Sequence, residues 1–462
     1  MGSMGFGLNL NTTGLGLNQG LNVQQTVAAL VAAAQAPEQP LLDEQSFYSS
    51  QQSALNNIND LLDSLQTAVQ ALQDPLGGLA ATTAASSDNT VLAATTTTGA
   101  ETGTHTVLVN SLATTSSYDT AALASDSTTF ATGQFTLQVG SGSPVAITVD
   151  GTNDTLSSLA SYINGQDYGV AASVVTDANG SRLALVSDMG GAPGDLAISG
   201  NTTGLTFNKT AAGANSSLTV DGVPLNTTSN TVTGVIPDVT LNLTGTSSNP
   251  VTLTVASDTG QASTAINNLV SAYNAVIQAV NAQFTYTQGA SHQPPLISDA
   301  ALAQVQQNLY NDVNYSISGN SGITSLASLG ITLQSDGTLQ VDSGTLGAAL
   351  SSNPSAVQNF FQQASGTSGY AINFGNDLLN LTNVGSGPLY VDLQGIAQNQ
   401  QSLQNDINEF QTRLAQQQQL WLQEYAQVNS TLQTLPLLLQ QINGQLGSIG
   451  SSSTSTTSSL GG

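Results

Sequence analysis

The chain has 462 residues, enough for about two to four domains, and carries three basic residues (Arg182, Lys209, Arg413) against 28 acidic ones, a net charge of −25. That balance excludes nucleic acid as a partner, because displacing phosphate counterions takes cations, and it excludes anionic membrane surfaces for the same reason. Cysteine is absent, which removes thiolate zinc sites, iron–sulfur clusters, thiol catalysis and disulfides.

Only 7% of residues are charged, so solubility rests on Ser, Thr, Asn, Gln and Gly, and a surface that relies so little on ion pairs suits an acidic exterior. No window of 18 or more apolar residues exists, so no transmembrane helix is expected. Residues 1–20, rich in Gly, Asn, Leu and Thr, read as disordered in the free monomer. They lack the basic start and continuous apolar core of a Sec signal peptide, and Phe6 breaks the myristoylation pattern. Met1-Gly2-Ser3 ahead of Met4 reads as a cloning scar.

A first helix begins with Asn22 as cap and Gln25 completing a capping box. Val23, Val27, Leu30 and Val31 form its apolar face, and Pro37 and Pro40 end it. A second helix spans 44–73, where Phe47, Ala54, Ile58, Leu61, Leu65, Ala68 and Leu72 step by fours and threes. Pro75 and Gly77-Gly78 stop it.

From about Ala84 to Asp258 alternation replaces the helical period. Strands are expected at 106–110, 134–139, 145–149, 171–176, 183–187, 218–220, 231–235, 239–243 and 251–255. Gly140–Ser143 and Asp177–Gly180 read as hairpin turns, and one helix interrupts at 155–164. The helical period then returns after Asp258 and Gln261, with Ile266, Leu269, Tyr273, Val276, Val280 and Phe284 on one face, and again near Asp299–Asp312. A hairpin from Leu329 to Asp342 turns at Asp336-Gly337. Asn353-Pro354 opens a helix carrying Val357, Phe360 and Phe361, and a further helix near Tyr370–Asn383 follows.

The last helix, about Ile396–Leu446, is the longest. Leu403, Ile407, Phe410, Leu414, Trp421, Tyr425, Val428, Leu432, Leu435 and Leu439 alternate steps of four and three, with Gln417 filling a slot and a stutter between Gln417 and Tyr425. Gln fills much of its polar face and Arg413 is its single cation, so register must come from apolar shape and amide hydrogen bonds. Pro436 is expected to kink the helix or start a new one near Thr434. Trp421 reads as a packing knob. A helix of this length is either a stalk or packs against other long helices.

Chemistry is hard to place. His105 lies in or just before a strand and His292 sits in a Gln-Pro-Pro loop, and neither has a sequence neighbourhood that points to a Ser-His-Asp triad. Asp150-Gly151-Thr152-Asn153-Asp154 offers closely spaced oxygens but lacks the length and terminal Glu of a calcium loop, so it reads as a turn capping the helix at Thr155. Gly140-Ser141-Gly142 is followed by no Lys or helix start, so it is not a phosphate loop. No cofactor and no enzymatic activity are expected.

Four places resemble the flagellar filament capping family, also called hook-associated protein 2. They are Gly20-Leu21-Asn22-Val23 with Val27, Leu30 and Pro37; Val107–Ala113; Ser328–Asp342 with Asn353-Pro354 and Phe360-Phe361; and the terminal heptad helix. Gln134–Asp188 also resembles the small repeat of flagellins and their relatives. The scarcity of Lys and Arg departs from the family, as does Asn22 where it often has Asp, which bears on charge-paired contacts and leaves the apolar seam untouched.

The resemblance implies an extracellular protein at the distal filament tip, exported through the flagellar type III channel. It implies a ring homo-oligomer, most often a pentamer, with flagellin and an export chaperone as partners. Such a cap promotes flagellin insertion and folding and prevents monomer loss. The expected fold class is α+β: a long helical, coiled-coil scaffold from both termini with inserted β-rich domains. The expected domains are a leg segment (1–43), a helical core (44–83 and 259–390), a first β domain (84–118 and 213–258), an inserted second one (119–212), and a C-terminal coiled-coil leg with a disordered tail (391–462). Assembly contacts are assigned to Leu21, Val23, Val27 and Leu30, and to Leu403, Ile407, Phe410, Leu414, Trp421, Tyr425, Val428, Leu432, Leu435 and Leu439. Two other readings are a hook–filament junction component and a surface adhesin using its β domains.

Overall fold

The computed structural model describes residues 22–290, 292–362 and 369–452. The expectations for residues 1–21, Leu21 included, and for the tail beyond 452 lie outside them. The fold is α+β: helices from both ends of the chain flank β-rich domains.

Two helices open the described chain, α1 (Val23–Ala34) and α2 (Glu38–Gln73). The Asn22 side chain caps α1 by accepting from the Gln25 N–H at 3.1 Å. Pro40 was expected to help end the first helix, but it lies in the first turn of α2. The first N–H groups of a helix have no partner inside it, so proline is tolerated there.

The strands that follow are β1 (Thr82–Ser86), β2 (Leu92–Thr96), β3 (Gly103–Ser111), β4 (Thr115–Thr120), β5 (Gly133–Val139) and β6 (Val145–Val149). After α3 (Leu156–Asn164) come β7 (Val170–Asp177), β8 (Gly180–Gly190), β9 (Leu196–Ser199), β10 (Phe207–Ala211), β11 (Ser216–Val220) and β12 (Val223–Thr227). The series ends with β13 (Thr231–Ile236), β14 (Val239–Leu243) and β15 (Val251–Ser257). All pair antiparallel, in sheets ordered β1-β15-β3-β11-β12, β13-β14-β2, β10-β4-β8-β7 and β6-β5-β9. The first two sheets share one apolar core, with Leu92, Val107, Leu218, Leu241 and Leu253 at its centre. The last two share another with α3, built on Phe135, Ile147, Leu159, Leu185 and Leu196.

Each strand expected from sequence is present, and β1, β2, β4, β9, β10 and β12 are additional. β1 and β2 are Thr-Thr-Ala-Ala-Ser and Leu-Ala-Ala-Thr-Thr, with little apolar bulk to signal a strand. β12 carries Pro224, and proline counts against a central strand. β12 is an edge strand, where a missing N–H costs no ladder bond. Its hairpin with β11 turns at Asp221-Gly222, whose φ values of 49° and 82° are both positive, as a two-residue type I′ turn requires.

The remaining elements are α4 (Thr259–Phe284), α5 (Ala300–Val313), the hairpin β16 (Ile331–Leu333) and β17 (Leu339–Val341), α6 (Ser343–Ser352), α7 (Pro354–Phe361), α8 (Tyr370–Leu381) and α9 (Pro388–Ser452). Asp258 caps α4, accepting from the N–H groups of Gly260 and Gln261 at 3.0 Å each, and Asp342 caps α6. Pro436 neither ends α9 nor starts a new helix near Thr434: the 65-residue helix continues through it. The ring leaves the Leu432 carbonyl without its intrahelical donor. At 1.5 Å per residue, α9 is about 100 Å long.

By its internal contacts the chain forms two compact units, one of residues 1–63, 278–307 and 379–462, the other of 64–277 and 308–378. Within each, amides do much of the pinning. Asn164 donates to the Ala172 carbonyl and accepts from the Ala172 N–H, both at 2.7 Å. Asn230 holds Ala113 in the same way at 2.9 and 2.7 Å, and Asn274 holds Leu339 at 2.8 and 2.6 Å. One primary amide thus satisfies both backbone groups of one residue. Replacing Asn274 by Ala should cost about 1–3 kcal/mol, because two part-buried backbone groups lose their partners. Urea unfolding of Asn274→Ala checks this, with Asn274→Asp, which keeps the acceptor and loses the donor, expected to be destabilised too.

Candidate functional site

The longest surface built by the termini is that of α9. In the first unit α9 runs antiparallel to α2. Gln411 donates from its side chain to the Glu38 carboxylate, and Gln45 donates to the Gln404 side-chain oxygen, each at 2.7 Å. Moving from Glu38 to Gln45 on α2 moves from Gln411 back to Gln404 on α9, one heptad on each helix. The register of this seam is held by amides, in place of the Glu–Lys pairs of ordinary coiled coils. α1 also packs along α9, and its Val27 is buried.

Burial of the α9 seam falls along the helix. Leu389, Ile396, Leu403 and Ile407 are buried in the chain's own core, so Leu403 and Ile407 are taken up inside the chain. Phe410, Leu414, Trp421 and Tyr425 are half-buried, as are Val23 and Leu30 of α1. Val428, Leu432, Leu435 and Leu439 are 42–50% exposed. The change follows the end of α2: Glu38 is its first residue and sits opposite Gln411, so α9 outruns it beyond that point. Tyr425, Val428 and Leu432, with Glu424, Gln427 and Thr431, line a shallow groove on this stretch.

Heptad reasoning passed over Leu420, Leu437 and Leu438, which lie off the seam and are 56–67% exposed. The signal for two of them is the unbroken run Leu435-Pro436-Leu437-Leu438-Leu439, too many consecutive apolar residues for one stripe. A helix apolar on all sides is one made to be covered.

The titratable candidates have structural occupations. His105 Nδ1 lies 2.7 Å from Asp221 Oδ2, and the other Asp221 oxygen accepts from the Thr106 N–H at 2.8 Å. Together these pin β3 to the β11–β12 turn. The Asp221 carboxyl is held below its usual range, first by the His105 hydrogen bond and then by the Thr106 N–H. In the Asp150–Asp154 loop, Asp150 Oδ1 accepts from the Thr152 N–H and hydroxyl, and the Asn153 side chain ties the Asp150 N–H to the Thr148 carbonyl. The loop leads into Thr155, which caps α3. Among the described residues no three His, Cys, Asp or Glu side chains cluster as a metal site would require. No helix among them is long and apolar enough to cross a membrane.

Ile407→Ala should destabilise the first unit by about 2–5 kcal/mol, since it empties a filled core position. Leu435→Ala should change the stability of the isolated chain by no more than about 0.5 kcal/mol, since its side chain is half in solvent. Paired denaturant titrations of the two variants separate core from uncovered surface.

Residues 19–116 match the family described as Flagellar hook-associated protein 2 N-terminus, residues 213–435 its C-terminus, and residues 134–188 the Flagellin hook IN motif. The B-type flagellar hook-associated protein 2 of Pseudomonas aeruginosa is 30% identical over 396 residues, covering 79% of this chain and 81% of that protein. Flagellar hook-associated protein 2 of Escherichia coli K12 is 28% identical over 448 residues, covering 91% and 95%. The crystal structure of a three-domain fragment of the flagellar cap protein from Escherichia coli is similar with a TM-score of 0.56 at 28% identity, covering 74% of this chain and 99% of that one.

Proposed function

Because the chain belongs to the flagellar hook-associated protein 2 family, we propose that it caps the distal end of the bacterial flagellar filament, outside the cell. The observation that carries this reading is the likeness, over most of the chain, to relatives bearing that name and to a solved flagellar cap protein. The role is structural. Copies of the chain associate with one another and with filament flagellin, so that arriving flagellin folds into place and is not lost.

The uncovered half of α9 supports a division of labour within that role. We assign the partner contacts to Tyr425, Val428, Leu432, Leu435 and Leu439, with Phe410, Leu414 and Trp421 leading into them, and propose Leu21, Val23 and Leu30 as further contacts, Val27 being already buried within the chain. Leu403 and Ile407 act earlier, by holding α9 to the folded unit. The ring is proposed to hold five copies, and an export chaperone is proposed as a further partner. The β-rich middle, taken as a domain of 84–118 and 213–258 carrying an insertion of 119–212, is proposed to form the plate. Low charge suits such legs, because apolar and amide contacts lock direction less than salt bridges and let a leg shift between equivalent flagellin sites.

The test is complementation of a cell lacking its cap protein, with filaments measured by electron microscopy. The unchanged chain should restore full-length filaments. Leu432→Gln combined with Leu435→Gln and Leu439→Gln should leave short or missing filaments although the protein is still secreted and its β-rich unit still folds. Normal filaments from the triple variant would contradict the assignment of contacts to this stretch.

A further inference from the structure

Within the second unit the chain passes between the two β cores twice, through residues 112–114 from β3 to β4 and through 212–215 from β10 to β11. Two crossings side by side make a hinge unless something braces them, and bodies joined by a small polar contact move relative to each other by default. Here the crossings are first tied to one another. The Thr114 N–H donates to the Ala214 carbonyl at 2.9 Å, and the Thr114 hydroxyl donates to the Ala212 carbonyl at 2.7 Å.

Each core then grips the tied pair. From the first, Asn230 holds both backbone groups of Ala113. From the second, the connection between β8 and β9 reaches across with a single turn at Ala192–Gly194. The Gly191 N–H donates to the Thr114 carbonyl at 3.1 Å, and the Ala192 N–H donates to the Asn215 side-chain oxygen at 2.7 Å. Asp195, just after the turn, accepts from the Gly213 N–H at 2.7 Å. The same connection also bears on the first core directly, against Thr228 after β12. A Cβ on Gly191, which sits at φ 78°, would lie 2.7 Å from the Thr228 Cα and 2.6 Å from Asn215 Oδ1. A Cβ on Gly213 would lie 2.6 Å from the Gly191 carbonyl oxygen and 2.9 Å from the Asp195 Cα. Backbones meet this closely only at glycine.

Asp195 is where these lines converge, and Lys209, the single lysine of the chain, holds it. Lys209 Nζ lies 2.7 Å from Asp195 Oδ1 and 2.8 Å from Oδ2, and it donates to the Leu196 carbonyl at 3.0 Å. It stands 5.7 Å from the centroid of the Tyr118 ring on β4, near enough for a cation–π attraction. Ser116, two residues before Tyr118, accepts from the Leu196 N–H at 2.9 Å and donates to the Ala211 carbonyl at 3.2 Å. The Asp195 carboxyl is held below its usual range, by Lys209 first and by the Gly213 N–H next.

We propose that Lys209, acting through Asp195, is the positioning residue that locks this joint, so that the two β cores turn as one rigid body. The ammonium keeps the carboxylate aimed at Gly213. That bond fixes the second crossing to the end of the β8–β9 turn, and the turn is thereby kept against Thr228. Without the ammonium the part-exposed carboxylate is drawn to water, Gly213 is released, and the crossings are left as a two-strand hinge. Two of the chain's three cations, Arg182 and Lys209, lie in the inserted segment, and Lys209 is the one that reaches its joint. Where the β-rich middle forms the plate, a reading on which the consequence for assembly rests, the lock gives every copy the same angle between its cores.

The test is distance measurement by pulsed electron resonance on the full chain, which has no cysteine of its own. Spin labels go on Thr254→Cys of β15 and Ser173→Cys of β7, exposed strand positions on different cores. A control pair, Ser173→Cys with Gln134→Cys of β5, lies within the second core. The labelled parent should give one narrow distance distribution. Lys209→Met, which keeps the apolar stem and removes the charge, should widen it by roughly twofold, as freed domain motion does, and leave the control pair narrow. Lys209→Arg, which keeps the charge, should retain most of the parent's narrowness. A broad distribution in the parent would overturn the rigid joint. A Lys209→Met width equal to the parent's would overturn the assignment to Lys209, and so would equal widening of the control pair, since the lysine would then be holding only its own core together. All of these are read on the isolated chain, so the lock and the plate reading fail separately: filaments of normal length from Lys209→Met despite a widened joint would count against the plate reading alone.

Discussion

Scarcity of cations is the constraint on which the rest of this structure depends. With three Lys and Arg in 462 residues, ion pairing cannot organise the fold. The ion pairs among the described residues are isolated ones, such as Lys209 to Asp195 at 2.7 Å and Arg413 to Glu409 one helical turn away. Amides take over instead. They set the α2–α9 register through Gln45–Gln404 and Glu38–Gln411, and Asn164, Asn230 and Asn274 each clamp one residue's backbone. A neutral amide bond is barely screened by salt and does not titrate, so the Gln45–Gln404 bond and the three Asn clamps hold across conditions that would weaken surface ion pairs. Several carboxyls left without a cation cap helices and turns instead, as Asp258, Asp342 and Asp150 do.

The same economy shapes the surface proposed for assembly. α9 is buried while α2 accompanies it and emerges where α2 begins, so one helix changes from core element to open surface without a break. Full burial of a Leu side chain is worth roughly 1.5–3 kcal/mol, so covering the exposed half of one leucine yields about 1 kcal/mol. Many such contacts, each small and none charged, would give a grip that is strong in sum and weak at any one point. A cap must hold the filament end while subunits are added beneath it, and that distribution of energy fits the task.

Much of this was legible in the sequence because it is periodic. The heptads of 44–73 and of the last helix exceed any chance pattern, and Asp336-Gly337 and Asp177–Gly180 carry their turns in their residue types. The capping roles of Asn22 and Asp258 followed from position alone, whereas Thr155, read as the first residue of its helix, is itself the cap. What was missed lacked bulk or broke a local rule. β1 and β2 are built from Ala and Thr, whose strand signal is weak, and their pairing with β15 and β14 comes from the far side of the β-rich region. β12 contains a proline that only an edge position tolerates. Pro436 looked like a helix breaker, yet α9 passes through it in a stretch where Leu437 and Leu438 are mostly exposed.

The most direct measurement is where the protein sits on the cell. Gold-labelled antibody against the native chain, imaged by electron microscopy of intact flagellated cells, should mark the distal tips of filaments and little else. Label at the filament base, along the shaft or over the cell body would contradict the account, since a cap has work to do only where subunits arrive.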